Sequence, residues 1–354
     1  MRAFCTLLLV LLVVGCSRGS TAATESSPRT LVGSGATLPF PLYSKWAAEY
    51  ARIDPTVRVN YQSIGSGAGV RQVSDGVVDF GATDEPMTDE QLKRTKAKLV
   101  HVPTTVGAVV FAFNLPGERE LALTPELAAD VFLGNVQRWD DERLRAMNPG
   151  RSLPSEPIVV VHRADGSGTS AALTTYLSRH SDRWRDLVGS GTSPRFPVGV
   201  GAKGNEGVTA FVKSTPMSIG YVELVYARQS GLAMASLKNR AGKVVAPTLE
   251  AIEHAAQSAA ARAPQNDSRV VIVDSEDEGA YPIAALSYVV LPLETHDRAK
   301  SEALAKFLWW AVHDGQAFAR ELDYVALPPS LVTRAEHALR ELRAEGRPLL
   351  PPAG

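Results

Sequence analysis

The sequence predicts an α/β protein built on a largely parallel central sheet with helices on its faces. Three observations lead there. From about residue 31 on, short apolar runs alternate with stretches of helical periodicity, and a β-α-β-α-β order implies crossover helices on a sheet. Glycine turns sit at the carboxyl ends of the predicted strands, the edge at which open α/β sheets bind ligands. The chain has 354 residues, 45% of them hydrophobic and 21% charged, which suits one or two globular domains and exceeds a single small core.

The elements follow in chain order. "TLVGSGATLPF" reads as a short strand and a glycine turn, and "PLYSKWAAEYARI" as a helix with Leu42, Trp46, Tyr50 and Ile53 near helical spacing. "VRVNYQSIGSGAG" is a strand ending in glycines, "GVRQVSDG" a short helix, and "VVDFGATDEP" a strand ending at Asp84. "VGAVVFAFNL", "EPIVVVHR" and "SIGYVELVYA" are buried-strand candidates. Helices are expected at "TPELAADVFLG", with Thr124 as cap and Glu126 in the first turn. Others are expected at "SGTSAALTTYLSR", "GVTAFVKS" and "SLVTRAEHALRELRA". "RAKSEALAKFLWWAVHDG" is a strong helix with Leu304, Phe307, Leu308 and Val312 on one face.

The first fifteen residues, with Arg2 and the apolar run "TLLLVLLVV", read as a secretory signal too short to span a bilayer comfortably. Val13-Val14-Gly15-Cys16 resembles the bacterial lipobox, whose cysteine becomes the lipidated first residue of the mature chain. An ordinary cleaved signal is the other reading, but Gly15 and Cys16 fall where the apolar run ends. Residues 16–30 are then the lipidated Cys16 and a small, polar, flexible tether. The other cysteine, Cys5, lies inside the signal, so cysteine catalysis and disulfides are excluded in the mature chain. Formal net charge is -1, which gives no overall pull toward nucleic acid, so any anion site is local. No two of the seven histidines lie within four residues of each other, and helical zinc spacing is absent.

Three segments share a design: Gly33-Ser-Gly-Ala-Thr37-Leu38-Pro39, Gly65-Ser66-Gly-Ala-Gly69 and Asp165-Gly-Ser167-Gly168-Thr169, the last with Arg163 beside it. Each puts glycines and a hydroxyl at a strand-to-helix junction. Helix N-termini leave about four N–H groups unpaired and carry partial positive charge, glycine admits an anion close to the backbone, and Ser or Thr adds an O–H donor. Any one junction is explained by capping and turn formation alone; three, with an arginine, point to one shared anion. Asp84 sharpens this. An ionised carboxylate only accepts hydrogen bonds, so it can take the proton that phosphate keeps near neutral pH and repels sulfate, which has none. Its other reading is an N-cap for a helix starting near Asp84-Glu-Pro-Met-Thr-Asp-Glu.

At this point the chain resembles the phosphate-binding proteins that serve ABC-type phosphate importers. The resemblance runs through "GSGATLPFPLYSKWAAEY", "VNYQSIGSGAGVRQVSDGVVDFGATDEPMT", "FLGNVQRWDDERLRAMNPG", "HRADGSGTSAALTTYL", "GVGAKGNEGV", "SIGYVELVYA" and "ELDYVALPPSLV", nearly all of the mature chain. It implies a two-lobed periplasmic-binding-protein fold of type II, each lobe a central mixed sheet flanked by helices, joined by two chain crossings. Lobe I is expected at 31–105 plus 281–354 and lobe II at 106–280. It implies a phosphate ligand set of Thr37, Leu38, Ser66, Asp84, Arg163, Ser167, Gly168 and Thr169, with Asp165 supporting Arg163. No metal or cofactor is expected. The implied setting is outside the cytoplasm, as a monomer anchored to the membrane at Cys16 and delivering phosphate to a membrane permease. Leu38 stands where the family often has an aromatic, Gly67 where a second serine is common and Thr83 where serine is; none removes an expected ligand.

Gly199-Val-Gly201-Ala-Lys-Gly204 fits the dinucleotide pattern but follows prolines instead of a long strand, and reads as a structural loop. The clusters Trp139–Glu142 and Asp274–Glu278 lack calcium-loop spacing and read as solvated faces. A phosphatase-like enzyme needs an activated nucleophile or a metal cluster, and the sequence displays neither. A clamp for another tetrahedral oxyanion such as sulfate is the remaining alternative.

Overall fold

A strip of antiparallel strands joins two parallel flanks in one curled, nine-stranded sheet. The computed structural model describes residues 28–262 and 267–351, so the signal peptide, Cys16 and the tether as far as Ser27 lie outside the described residues. Strands β1 (Arg29–Gly35), β2 (Val57–Ser63) and β3 (Phe80–Thr83) are parallel, in the order β2-β1-β3. The long β4 (Leu99–Asn114) comes next. On the far flank β5 (Val159–Arg163) lies between β6 (Val200–Ala202) and β7 (Ser218–Glu223), parallel to both. The short β8 (Ala233–Met234) pairs with the end of β4, and β9 (Ala284–Pro292) lies between β3 and β4, antiparallel to each. The sheet is therefore parallel only on its flanks, whereas the expectation from element order was largely parallel.

β4 belongs to both flanks. Its residues Leu99–Ala108 pair with β9, and Val109–Asn114 pair with β7. Fourteen of its sixteen residues are buried, which matches the unbroken apolar run that a strand covered on both faces must have. The returning chain meets β4 at the changeover: Val109 N donates to Ile283 O at 2.8 Å, and Tyr281 OH donates to Val109 O at 3.2 Å. A bulge sits in the same pair. Ser287 is opposite Thr105 and Tyr288 opposite Pro103, which leaves Thr104 as the extra residue. Thr104 Oγ1 donates to Ser287 O at 3.0 Å and takes a hydrogen bond from Tyr43 OH.

Helices cover the faces. In α1 (Phe40–Ile53), Leu42, Tyr43, Trp46 and Tyr50 are buried, but Ile53 is 60% exposed because it ends the helix past the edge of the core. The next helix, α2 (Ser66–Ser74), begins at the serine itself, three residues before the predicted "GVRQVSDG". In α3 (Asp89–Lys93) a capping box is formed by Thr88 and Gln91, and α4 (Pro125–Phe132) is capped by Thr124 as expected. Beyond these, α5 (Gly168–His180) follows β5 and α6 (Gly204–Ser214) starts three residues before "GVTAFVKS". "SIGYVELVYA" is half strand and half helix: β7 ends at Glu223, whose carboxylate caps α7 (Leu224–Gln229) by accepting from Val225 N. A buried apolar run reads the same in either state, so periodicity could not separate them. The predicted strand "VVDFGATD" contributes only Phe80–Thr83, and Val77 is solvent-exposed. Arg29 and Thr30, placed in the tether by sequence, pair with Val57 and Arg58 in β1–β2. α8 (Arg298–Val312) buries Leu304, Phe307, Leu308 and Val312 as expected, and α9 (Pro329–Glu341) matches the last predicted helix. The acidic clusters form ion pairs: Asp140 and Asp141 with Arg138 and Arg143, and Glu276 with Arg240 and Arg262.

α2 lies unusually close to the sheet. A Cβ on Gly69 would stand 2.5 Å from Gly35 Cα, 2.7 Å from Ser34 O and 2.8 Å from Ala82 O, all backbone atoms of β1 and β3. Gly69→Ala is expected to lower unfolding free energy by about 1–3 kcal/mol, as overpacking does. A urea titration with a lower midpoint and an unchanged slope checks this.

Candidate functional site

The β1–α1, β2–α2 and β5–α5 turns converge at the carboxyl ends of the parallel strands. The first turns of α1, α2 and α5 contain no acidic residue, whereas α3 and α4 begin with Asp89, Glu90 and Glu126. Three positive helix ends are thus left uncompensated by their own sequences.

All eight expected ligand residues come together, and all are buried. The β2–α2 and β5–α5 turns touch directly: Gly67 N donates to Gly166 O at 3.0 Å, and Gly168 N donates to Ser66 Oγ at 3.0 Å. Only glycine fits at 168, since a Cβ there would lie 2.6 Å from Asp84 Cβ and 2.7 Å from Ser66 Oγ. Ser167 caps α5 by accepting from Ser170 N, so its oxygen is engaged and its proton is left to donate. Leu38 is buried next to Thr37, with its carbonyl held by Tyr324 OH at 2.6 Å.

Arg163 is the cation of the site, its side chain 1% exposed. Nε and one terminal nitrogen make a fork onto Asp165, at 2.8 and 2.5 Å, and the other terminal nitrogen donates to Thr169 Oγ1 at 3.2 Å. Of five guanidinium N–H donors, three are used in this way, which leaves two. Burial pushes the Asp165 carboxyl up, but hydrogen bonds and charge from Arg163, with the Gly204 N–H at 3.0 Å, hold it below its usual value. Arg163 N is fixed by Tyr221 OH at 3.1 Å.

Asp84 is the carboxylate among these donors that is not paired with Arg163. It does not cap a helix, because Thr88, four residues later, caps α3. Ser287 Oγ donates to its Oδ1 at 2.6 Å, and Ser66 Oγ lies 3.4 Å from Oδ2. Burial raises its pKa to about 6, against the opposing pull of Ser287, the Arg163 charge and Ser66. At neutral pH it is therefore mostly an acceptor.

Sequence reasoning missed three contributors. Ser287, beside the bulge, holds Asp84. Tyr226 OH donates to Thr37 O at 2.7 Å. Asn205, fully buried at the start of α6, reaches Thr37 and Thr169 with one amide. Asn205 stands within "GVGAKGNEGV", but a lone amide in a polar loop gives no signal of its own. The weak dinucleotide match is not the loop expected from sequence: Val200–Ala202 is the edge strand β6 paired with β5, Lys203 is exposed, and Gly204 opens α6 and supplies its N–H to Asp165.

Comparison with known proteins adds three findings. A family model described as "PBP superfamily domain" matches residues 21–314. The chain is similar to "Phosphate-binding protein PstS" of Xylella fastidiosa, 42% identical over 319 residues, with 89% of this chain and 86% of the relative covered. The protein of that description from Pasteurella multocida is 40% identical, with 90% and 92% covered, and the one from Methanocaldococcus jannaschii 36%, with 96% and 94% covered. In fold it is similar to the phosphate-binding protein from Stenotrophomonas maltophilia, with a TM-score of 0.68 at 18% identity and coverage of 88% and 94%. It is also similar to a putative phosphate ABC transporter substrate-binding protein with bound phosphate from Clostridium perfringens, with a TM-score of 0.61 at 18% identity and coverage of 84% and 100%.

The raised Asp84 pKa has a consequence for stability. The folded pKa lies above the ordinary 3.8, so the folded state holds this proton more tightly, and stability from this group is lost as pH rises through about 6. Ligand-free Asp84→Asn protein should therefore be more stable than the unaltered protein near pH 8, by at most about 3 kcal/mol, with the gain shrinking toward zero near pH 4. Urea unfolding at both pH values measures it.

Proposed function

The chain belongs to the PBP superfamily and, within it, to the phosphate-binding protein PstS family, and on that premise we propose that its three turns close on one inorganic phosphate. It binds phosphate outside the cytoplasm for an ABC-type importer and catalyses no reaction. The donors of the clamp are the Thr37, Ser66, Ser167 and Thr169 hydroxyls, the backbone N–H groups of the turns at Leu38 and Gly168, and the two remaining N–H groups of Arg163; the Gly168 N–H and the Ser66 O–H exchange their present partners, Ser66 Oγ and Asp84, for the anion. Asp84 is the single acceptor. The observation that carries this reading is a carboxylate buried among donors, with one oxygen tied to Ser287 and the other facing Ser66 and Gly168.

That arrangement selects by protonation. Phosphate near neutral pH presents at least one O–H, which Asp84 accepts; sulfate presents only lone pairs, which the carboxylate repels. Asp165 tempers the charge of Arg163, so the anion is held by a shared cation and can leave. Residues 31–105 with 281–354 form one lobe and 106–280 the other, with crossings near Thr105 and Tyr281. Phosphate contacts both lobes and stabilises their closed arrangement by its differential affinity. The closed form is the one a permease receives. Cys16 carries a lipid, the residues from 17 up to the start of β1 at Arg29 tether the monomer to the membrane, and the tether keeps it concentrated near its partner.

Calorimetric titration tests the clamp. Phosphate should bind at least about 1,000-fold more tightly than sulfate, a ratio that sites built around a required donor attain, and Asp84→Asn should narrow the gap. Equal affinity of the unaltered protein for both anions would overturn the role given to Asp84. The anchor is tested separately: Cys16→Ser should move the exported protein from the membrane fraction to the soluble one and abolish incorporation of labelled fatty acid, with phosphate affinity unchanged.

A further inference from the structure

We propose that Asn205 is a positioning residue that turns the hydroxyl protons of Thr37 and Thr169 outward, making both side chains obligatory donors to the bound anion. The inference rests on the phosphate reading above and goes beyond it by assigning what sets the polarity of those two hydroxyls.

The direction of every hydrogen bond in this cluster follows from one backbone group. A backbone N–H can only donate, and that of Glu223 donates to the Asn205 side-chain oxygen at 3.0 Å. The oxygen end of the amide is thereby identified, and the other end is the nitrogen. Nδ2 stands 2.8 Å from Thr37 Oγ1 and 3.4 Å from Thr169 Oγ1. An amide nitrogen only donates, so both threonine oxygens accept. Each also accepts a second N–H: Thr37 from Asn205 N at 3.3 Å, and Thr169 from Arg163 at 3.2 Å. A hydroxyl oxygen has two lone pairs and one proton. Both lone pairs on each threonine are occupied, and neither hydroxyl donates a hydrogen bond among the described residues. What each has left to offer is its proton.

Position matters as much as polarity. Thr37 follows β1 on one flank, while Asn205 opens α6 beyond the other, behind β6. Tyr226 OH reaches the Thr37 carbonyl from that same side. The Asn205–Thr37 contact therefore spans the two flanks, and the Thr37 proton is committed only while they face each other. Asn205 itself is fully buried, so water cannot replace it.

A double-variant cycle with inorganic phosphate tests this. Asn205→Asp keeps the shape and the acceptor for Glu223 N but, when ionised, replaces the amide donor with an acceptor, and both threonine protons turn inward. Phosphate affinity should fall on the order of 100-fold, the loss of two hydrogen bonds to an anion. In a Thr37→Val, Thr169→Val background the same substitution should cost less than about 5-fold, because nothing is left for it to reverse. Simple charge repulsion would cost the same in both backgrounds, and that result overturns the proposal while the phosphate reading stands. If the two valine changes alone leave phosphate affinity intact, the site reading fails and the inference with it. Asn205→Ala supplies a second cycle should the first variant not fold. It removes the amide, lowers affinity about 10-fold, and should likewise lose its effect beside the two valines; an undiminished loss there overturns the proposal.

Discussion

A guanidinium buried at 1% exposure is the constraint around which this molecule is arranged. A charge taken out of water is costly unless it is paired and its donors are satisfied. Asp165 pairs it from two residues away and is in turn tied by Gly204 N, so β5, the turn after it and the start of α6 are fixed together. Thr169 takes a further donor, and Tyr221 holds the arginine backbone. The protein thus satisfies most of the cation and leaves a small remainder directed at the converging helix ends. Helices α1, α2 and α5, free of first-turn carboxylates, add their own partial charges there. A site with this positive potential, and with one carboxylate, Asp84, left unpaired by a cation while Asp165 is paired with Arg163, suits a guest that is mostly negative and partly protonated.

The sheet explains how turns so distant in sequence arrive at one point. The two parallel flanks run in opposite directions, β1–β3 along β4 and β5–β7 against it, and they are offset along β4, so the carboxyl ends of β1 and β2 meet that of β5 head-on near the changeover at Val109. The antiparallel strip does a different job. Because β9 runs against β3, Ser287 comes alongside Asp84 at the end of that strand. The bulge that leaves Thr104 unpaired ties the same spot through Tyr43 to α1. The acceptor is thereby oriented by a strand that belongs to none of the three donor turns.

Much of this was legible in the sequence, for physical reasons. Glycine, hydroxyl and helix start coincide in sequence because the turn geometry is local, so Thr37, Ser66, Ser167, Gly168 and Thr169 were visible as candidates without coordinates. Thr124 and the apolar face of α8 were legible for the same reason. Contacts made across the sheet were not. Ser287 lies 203 residues from Asp84 and Asn205 lies 168 from Thr37, and nothing in their immediate neighbours marks them. The antiparallel strip was likewise hidden, since element order describes neighbours in sequence and not the pairing of β4 with β9. Ile53 and the second half of "SIGYVELVYA" misled for a third reason: periodicity reports which residues are apolar, not where an element stops.

The long strand β4 carries a consequence for how the chain comes apart. It supplies nine residues of pairing to β9 and six to β7, and no flexible linker separates the two stretches. Stripping either flank from it exposes the buried side chains of the other. Melting of one half therefore undermines its companion, and the two halves are bound to unfold together.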